Sequence, residues 1–301
     1  MDSPRRSSSG LIRLAHGPWQ VELAPAAGGS VARFDFKRGG DILPMFRPAA
    51  PESIAHADAR GMGCFPLFPY SNRIELGWMG LQPNRPTFPL PIHGESWLRP
   101  WKVASAGNDA AVLSHRHDGR HGWPLAYAAL QSFRLTDDGL LVELTLTNHA
   151  GRPAPGGFGL HPYFHRTPGT LIRASAETVW ENGPDMLPRQ RIAVPAGWRL
   201  DPPRRADDLL LDNCFGGWTG LAEILWPDRN LALRMTATAP LGHLVVYTPA
   251  GRDYLCAEPV SHCNNGFALA ERGTADTGTL MLAPGATVTA AVAFLPRLLA
   301  G

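Results

Sequence analysis

Leu140-Leu141-Val142-Glu143-Leu144-Thr145-Leu146-Thr147-Asn148 places Leu or Val at even positions and Glu or Thr at most odd ones. Side chains of an extended chain alternate between faces, so this run buries one side and wets the other, as a strand of a two-layer sandwich does. Runs of similar character occur at Trp19–Leu23, Leu231–Met235, Leu244–Tyr247 and Thr287–Leu295. The 29 prolines and 32 glycines are spread along the whole length and cut it into pieces that rarely reach helical length. An all-β fold is predicted: a large antiparallel β-sandwich. With 301 residues, 44 % of them hydrophobic, the chain can bury a sizeable core. No internal repeat or Gly/Ser-rich linker divides it, so a single domain over residues 11–301 is expected, preceded by a loose tail over residues 1–10.

Formal charge is only +2, and Lys and Arg are scattered, so the sequence carries no electrostatic footprint for nucleic acid or an anionic membrane. The apolar stretch Ala290–Leu295 falls far short of the roughly 20 residues that span a bilayer. Residues 1–10 have charge but no apolar core of a secretory signal. Cys64, Cys214, Cys256 and Cys263 form no Cys-x-x-Cys pair, which favours reduced thiols over a disulfide scaffold or zinc site. These features predict a cytoplasmic protein with a small-molecule partner, no nucleic acid and no membrane. They do not choose between monomer and homodimer.

Four segments set polar groups among aromatic, Pro or Gly residues, where a solvated loop would be plainer. They are Phe68-Pro69-Tyr70-Ser71-Asn72-Arg73-Ile74, Pro91-Ile92-His93-Gly94-Glu95-Ser96-Trp97, Gly159-Leu160-His161-Pro162-Tyr163-Phe164 and Cys256-Ala257-Glu258-Pro259-Val260-Ser261. The last follows the strand-like Leu244–Tyr247 run. Taken singly, each has a plain reading: Glu258 as a turn carboxylate, His161 as a satisfied core histidine, His93 as a turn residue, and Arg73 in a surface ion pair.

Together, and in this order, the Asn-Arg-Ile, His-Gly, Gly-x-His-Pro-Tyr-Phe and late Glu-Pro segments resemble the aldose 1-epimerase (galactose mutarotase) family. The resemblance spans nearly the whole chain and implies a sandwich of many antiparallel strands with a sugar cleft on one face. It also implies interconversion of the anomers of a free hexose without metal or cofactor. Glu258 matches the family's general base and His161 its general acid. His93 matches a second histidine at the ring oxygen or C1 hydroxyl, and Arg73, with Asn72, a sugar-holding pair. Asp212, in Leu211-Asp212-Asn213-Cys214-Phe215, matches a carboxylate that accepts from sugar hydroxyls. One departure follows the base: Asn265-Gly266-Phe267 stands where many members have an Asp-Ala-Phe run.

Trp97, Tyr163, Phe164 and Phe267 are open between stacking on a pyranose and ordinary core packing, and Trp123 reads as a structural turn residue. His115, His117 and His121 are interrupted by Arg116, Asp118, Gly119 and Arg120, which reads as a solvated turn. His161 and His165 have the spacing of a helical ligand pair, but Pro162 argues against a helix there. No metal is predicted. Gly156-Gly157-Phe158-Gly159 lacks nucleotide-loop spacing, and no Gly-x-Ser-x-Gly elbow occurs. Two alternatives stand beside the free-hexose reading. A hexose-6-phosphate epimerase would call for extra cations at the cleft mouth, with Arg99 and Arg166 as candidates. A sugar-binding module without turnover would keep Arg73 and Asp212 but has no need of Glu258 and His161 together.

Overall fold

A computed structural model describes residues 10–299. The expected tail therefore lies outside the described residues, apart from Gly10.

The alternation at Leu140–Asn148 is realised as a strand, Gly139–Asn148, whose Leu140, Val142, Leu144 and Leu146 are buried. On its outward face Thr145 and Thr147 share hydroxyl hydrogen bonds with Thr289 and Thr287 of the Thr287–Leu298 strand, at 3.0 and 2.9 Å. Such cross-strand pairs contribute only about 0.2–1 kcal/mol each. Register is fixed mainly by the inner face, because a one-residue slip would turn its aliphatic side chains to water. The other predicted runs are also strands: Trp19–Ala24, Leu231–Ala237 and His243–Tyr247.

Among the described residues there are 22 strands and two α-helices, Pro51–Ala55 and Gly266–Glu271. The strands form one sheet of eleven, one of nine and a two-stranded ribbon. All laddered pairs are antiparallel. The main core joins the two large sheets. Phe46 meets Phe34 and Phe164 of the larger sheet at 5.4 and 5.6 Å between ring centres, and Phe294 of the smaller at 5.0 Å, all edge-on. Phe164 is thus a core residue. Trp123 is also core, beside Tyr70, Trp78 and Phe267.

The larger sheet is also apolar on its other face, where Phe65, Trp97, Tyr163, Trp180 and Val245 form a separate buried cluster. Parts of the loops in residues 68–98, among them Phe88, Ile92 and Trp97, lie on this face, while Phe68, Tyr70, Ile74 and Leu81 pack in the main core, and bridges tie Phe68 to Gly94 and Arg73 to Ile92. Side chains pointing away from the sandwich core are therefore covered without being filled in. All four cysteines are buried and free. No helix among the described residues is long and apolar enough to cross a membrane.

Candidate active site

Period-two alternation sets the site. Neighbouring strands Cys64–Leu67, Gly159–His165, Tyr254–Val260, His243–Tyr247 and Asp212–Gly216 cross the larger sheet in that order. Phe65 lies opposite His161, Glu258 opposite Val245, and Val245 opposite Cys214. Gly159 pairs with Val260 and Tyr163 with Cys256, so His161 and Glu258 face one another between those pairs. Two residues along, a second row runs Tyr163, Cys256, Tyr247, Asp212. Both rows lie on the face turned away from the main core. Glu258 thus sits inside a central strand rather than at a turn after the Leu244–Tyr247 run. The ladder skips the His161–Glu258 level, where Pro162 and Pro259 have no N–H to donate.

His161 Nε2 is 3.3 Å from Glu258 Oε1, with side chains only 9 % and 3 % exposed. The imidazole stacks on Phe65 and on Tyr163, each 4.6 Å away between ring centres. The other atoms of the pair, His161 Nδ1 and Glu258 Oε2, have no protein partner.

His93 and Asn72 come from the covering loops and hold each other. His93 N donates to Asn72 O at 2.9 Å, and Asn72 N donates to His93 Nδ1 at 3.1 Å. Both residues adopt positive φ, 61° and 53°. Gly94 follows at φ 69°, where any Cβ would strike the Phe68 carbonyl, so this turn needs glycine. Because His93 Nδ1 accepts, its proton is on Nε2, leaving a fixed donor. Asn72 Oδ1 accepts from Arg73 N at 2.8 Å and from Arg73 Nη1 at 3.1 Å. Arg73 Nη2 stands 3.7 Å from Asp212 Oδ2.

All six residues singled out from the sequence line one cavity of about 140 Å³. Tyr163 and Trp97 line it too, so these aromatics belong to the site wall, whereas Phe267 packs in the main core. Sequence reasoning missed Phe65, Arg60 and Tyr247. Tyr247 closes a quoted strand run, and its alternation with Val246 could have placed it on the site face. Phe65 lies in a strand of only four residues, Cys64–Leu67, too short for periodicity to register.

Burial dominates the electrostatics. It pushes the Glu258 carboxyl well above its ordinary range, helped by the negative charge of Asp212 and opposed by Arg73. Burial drives His161 down to about 3, with Arg47, Arg60 and Arg73 adding to the effect. His93 is also held well below its ordinary value, by burial first and then by His161, Arg73 and Arg60. Asp212 is raised by burial against the pull of Arg73. Burial thus acts in opposite directions on the two neighbours, favouring the protonated carboxyl and the neutral imidazole.

His161, Cys256 and Glu258 have ligand atoms within 4.8 Å of one another. A metal would need the Cys256 thiolate, and burial raises that thiol's pKa well above the ordinary value. The His-rich segment is not the solvated turn expected throughout: His115 and His117 lie on the strand Ala110–Asp118, with His115 buried against Trp101 at 5.4 Å between ring centres, and only His121 follows in the turn. His117 Nδ1 accepts from Gly119 N at 2.9 Å and its Nε2 contacts His121 O at 2.8 Å. His165 ends a strand with Nε2 2.9 Å from Arg229 Nη2, remote from any helical pairing with His161.

A sequence profile described as aldose 1-epimerase matches residues 11–295. The chain belongs to the aldose 1-epimerase family. The uncharacterized protein YphB of Escherichia coli K12 is 32 % identical over 294 residues, covering 93 % of this chain and 96 % of its own. A crystal structure from Escherichia coli K12, carried under an aldose 1-epimerase name, superposes with a TM-score of 0.84 at 29 % identity, covering 96 % of this chain and 99 % of the other. A galactose mutarotase-like protein from Clostridium acetobutylicum shares the fold, with a TM-score of 0.78 at 17 % identity over 96 % of this chain and 95 % of its own. The antiparallel sandwich is therefore the galactose mutarotase-like fold.

Proposed function

We propose that this aldose 1-epimerase family member interconverts the α and β anomers of a free hexose such as glucose or galactose. The observation that carries the reading is the buried His161–Glu258 pair at 3.3 Å in a cavity also lined by Arg73, His93 and Asp212. In the cyclic sugar, Glu258 as carboxylate takes the proton from the C1 hydroxyl. The O1 electrons form the C1=O bond, the C1–O5 bond breaks, and His161 as imidazolium delivers its proton to O5. Rotation about C1–C2 and the reverse transfers close the other anomer.

Carboxylate with imidazolium, and carboxylic acid with neutral imidazole, hold the same number of protons. Burial favours the second, uncharged state, which is the state of the pair while the open-chain aldehyde exists. A positioned acid or base contributes about 10²–10⁴-fold, ample for a reaction that already runs slowly in water. His93 Nε2–H is a fixed donor for the ring oxygen or C1 hydroxyl. Arg73, Asn72 and Asp212 hold the remaining hydroxyls, the carboxylate accepting and the guanidinium donating. Exchange between the anomeric proton signals of D-glucose and D-galactose, measured by magnetisation-transfer NMR at catalytic protein concentration, tests the reading. An exchange rate equal to that of buffer for both sugars would refute it.

A phosphorylated hexose is the second reading that an observation favours. Arg60 lines the cavity, stacks 5.0 Å over Phe88, and its guanidinium has no hydrogen-bond or ion-pair partner among the described residues. The cations anticipated from sequence do not serve there. Arg99 opens on another cleft beside Glu95, and Arg166 is engaged by Asp207 and the Pro249 carbonyl. A binding-only role has no use for two groups kept uncharged by burial and in contact.

A further inference from the structure

The segment that carries Asn72 and Arg73 is fastened to the loop that leaves the strand bearing Glu258. Ser71 N donates to His262 Nε2 at 3.2 Å, and Ser71 Oγ to His262 O at 3.4 Å. On the other side of Arg73, Asn265 N donates to the Arg73 carbonyl at 2.7 Å. The Asn265 side chain then clasps Glu75. Its Oδ1 accepts from Glu75 N at 3.0 Å and its Nδ2 donates to Glu75 Oε2 at 3.1 Å. Arg272 holds the other Glu75 oxygen, and this bond keeps the Glu75 carboxyl below its usual range.

Asn265 is 3 % exposed and sits at φ 54°. Asn tolerates that left-handed backbone better than most residues. Its amide also offers what the place requires, an acceptor toward a backbone N–H and a donor toward a carboxylate. An Asp here would keep the acceptor but set a second negative charge against Glu75.

We propose that Asn265 is a positioning residue for Arg73: it fixes the backbone that follows the guanidinium's anchor, at the Arg73 carbonyl and at Glu75, while His262 holds Ser71 before it, so that the sugar-holding group keeps its place relative to the Glu258 strand. The inference rests on the epimerase reading for its kinetic consequence, but its structural consequence can be read alone. It also gives a physical role to a position where the chain departs from the resemblance noted in its sequence.

The test is Asn265→Asp, read in two ways. The Arg73 Nε–H resonance in ¹⁵N NMR reports the guanidinium's surroundings, and sugar kinetics report its use. The expected result is a displaced Arg73 signal and a KM raised about tenfold with kcat changed less than about threefold, since the misplaced group holds substrate rather than moving protons. Adding Glu75→Gln supplies a donor to the new carboxylate and should return both the signal and KM close to wild type. If Asn265→Asp does not fold, Asn265→Gly keeps the left-handed backbone, removes the clasp, and should show the same displaced signal and raised KM. An unmoved Arg73 signal in the folded variant, or a KM defect that Glu75→Gln leaves unrepaired, overturns the proposal. Failure of the epimerase reading would show separately, as a wild-type exchange rate equal to buffer, and would leave the Arg73 signal and its rescue to decide the positioning role.

Discussion

His161 Nε2 and Glu258 Oε1 stand 3.3 Å apart on adjacent strands, inside the sheet and almost sealed from solvent. Strand geometry alone brings them together. Each lies midway between paired neighbours, Gly159 with Val260 and Tyr163 with Cys256, so neither depends on a flexible loop for its position.

The pair's titration sets the pH dependence expected of the reaction. Catalysis from the free enzyme requires one proton on the pair. Burial raises Glu258, so that proton is held to higher pH than an ordinary carboxylic acid holds it, and it lowers His161 to about 3, so a second is not taken up until strongly acid conditions. The acid limb of the kcat/KM profile should lie far below the ordinary histidine value, about 6.5. An acid limb centred near 6.5 would show a solvated imidazole instead.

Arg73 and Asp212 are 3.7 Å apart with side chains 19 % and 30 % exposed, so their mutual attraction contributes at most about 1 kcal/mol to stability. Asp212→Asn and Arg73→Ala should therefore melt close to wild type while raising KM about tenfold or more, because the lost interactions are with sugar. Thermal unfolding alongside steady-state kinetics checks both. A large drop in melting temperature with KM unchanged would make the pair structural.

Arg60 decides between free and phosphorylated sugar. If its unpaired guanidinium meets a phosphate, Arg60→Ala should lower kcat/KM for glucose 6-phosphate by 10- to 100-fold, roughly the 1.5–3 kcal/mol of a charge-assisted hydrogen bond, and change glucose little. Equal small effects on both sugars would leave the free hexose as the better reading.

Glu95, two residues beyond His93, offers a test in stability. Burial raises its carboxyl to about 7, with only partial relief from Arg99. An acid whose folded value exceeds its unfolded value is held protonated by the fold. It is without penalty below pH 4.5 and increasingly destabilising as pH rises toward 7, levelling off above. The full penalty is about 3 kcal/mol. Glu95→Gln should flatten the fall in unfolding free energy between pH 5 and 8, as read from denaturant melts. An identical slope in wild type and variant would contradict the burial argument.

Much of this was legible in the sequence because alternation and punctuation are local signals. Leu140 to Leu146 alternate as a half-buried strand must, and Pro and Gly exclude long helices. Five of the six site residues were identified by the order of four short segments, each polar where its neighbours are not, and Asp212 by a fifth, Leu211–Phe215. What stayed hidden is whatever register decides. No local pattern shows that Glu258 faces His161, that Phe65 underlies the imidazole, or that Arg60 reaches the cavity while Arg99 does not. Position within the strand was also misjudged for Glu258, since a following proline reads as a turn unless the ladder is already known to be broken there.

The most direct measurement is polarimetry of freshly dissolved α-D-glucose and α-D-galactose near neutral pH, with wild type and Glu258→Gln. Gln keeps the shape of the side chain and cannot take a proton. Wild type should speed the optical decay, and the variant, folded and still binding sugar, should lose at least about 100-fold of that acceleration. A Glu258→Gln protein as fast as wild type would contradict the account at its centre.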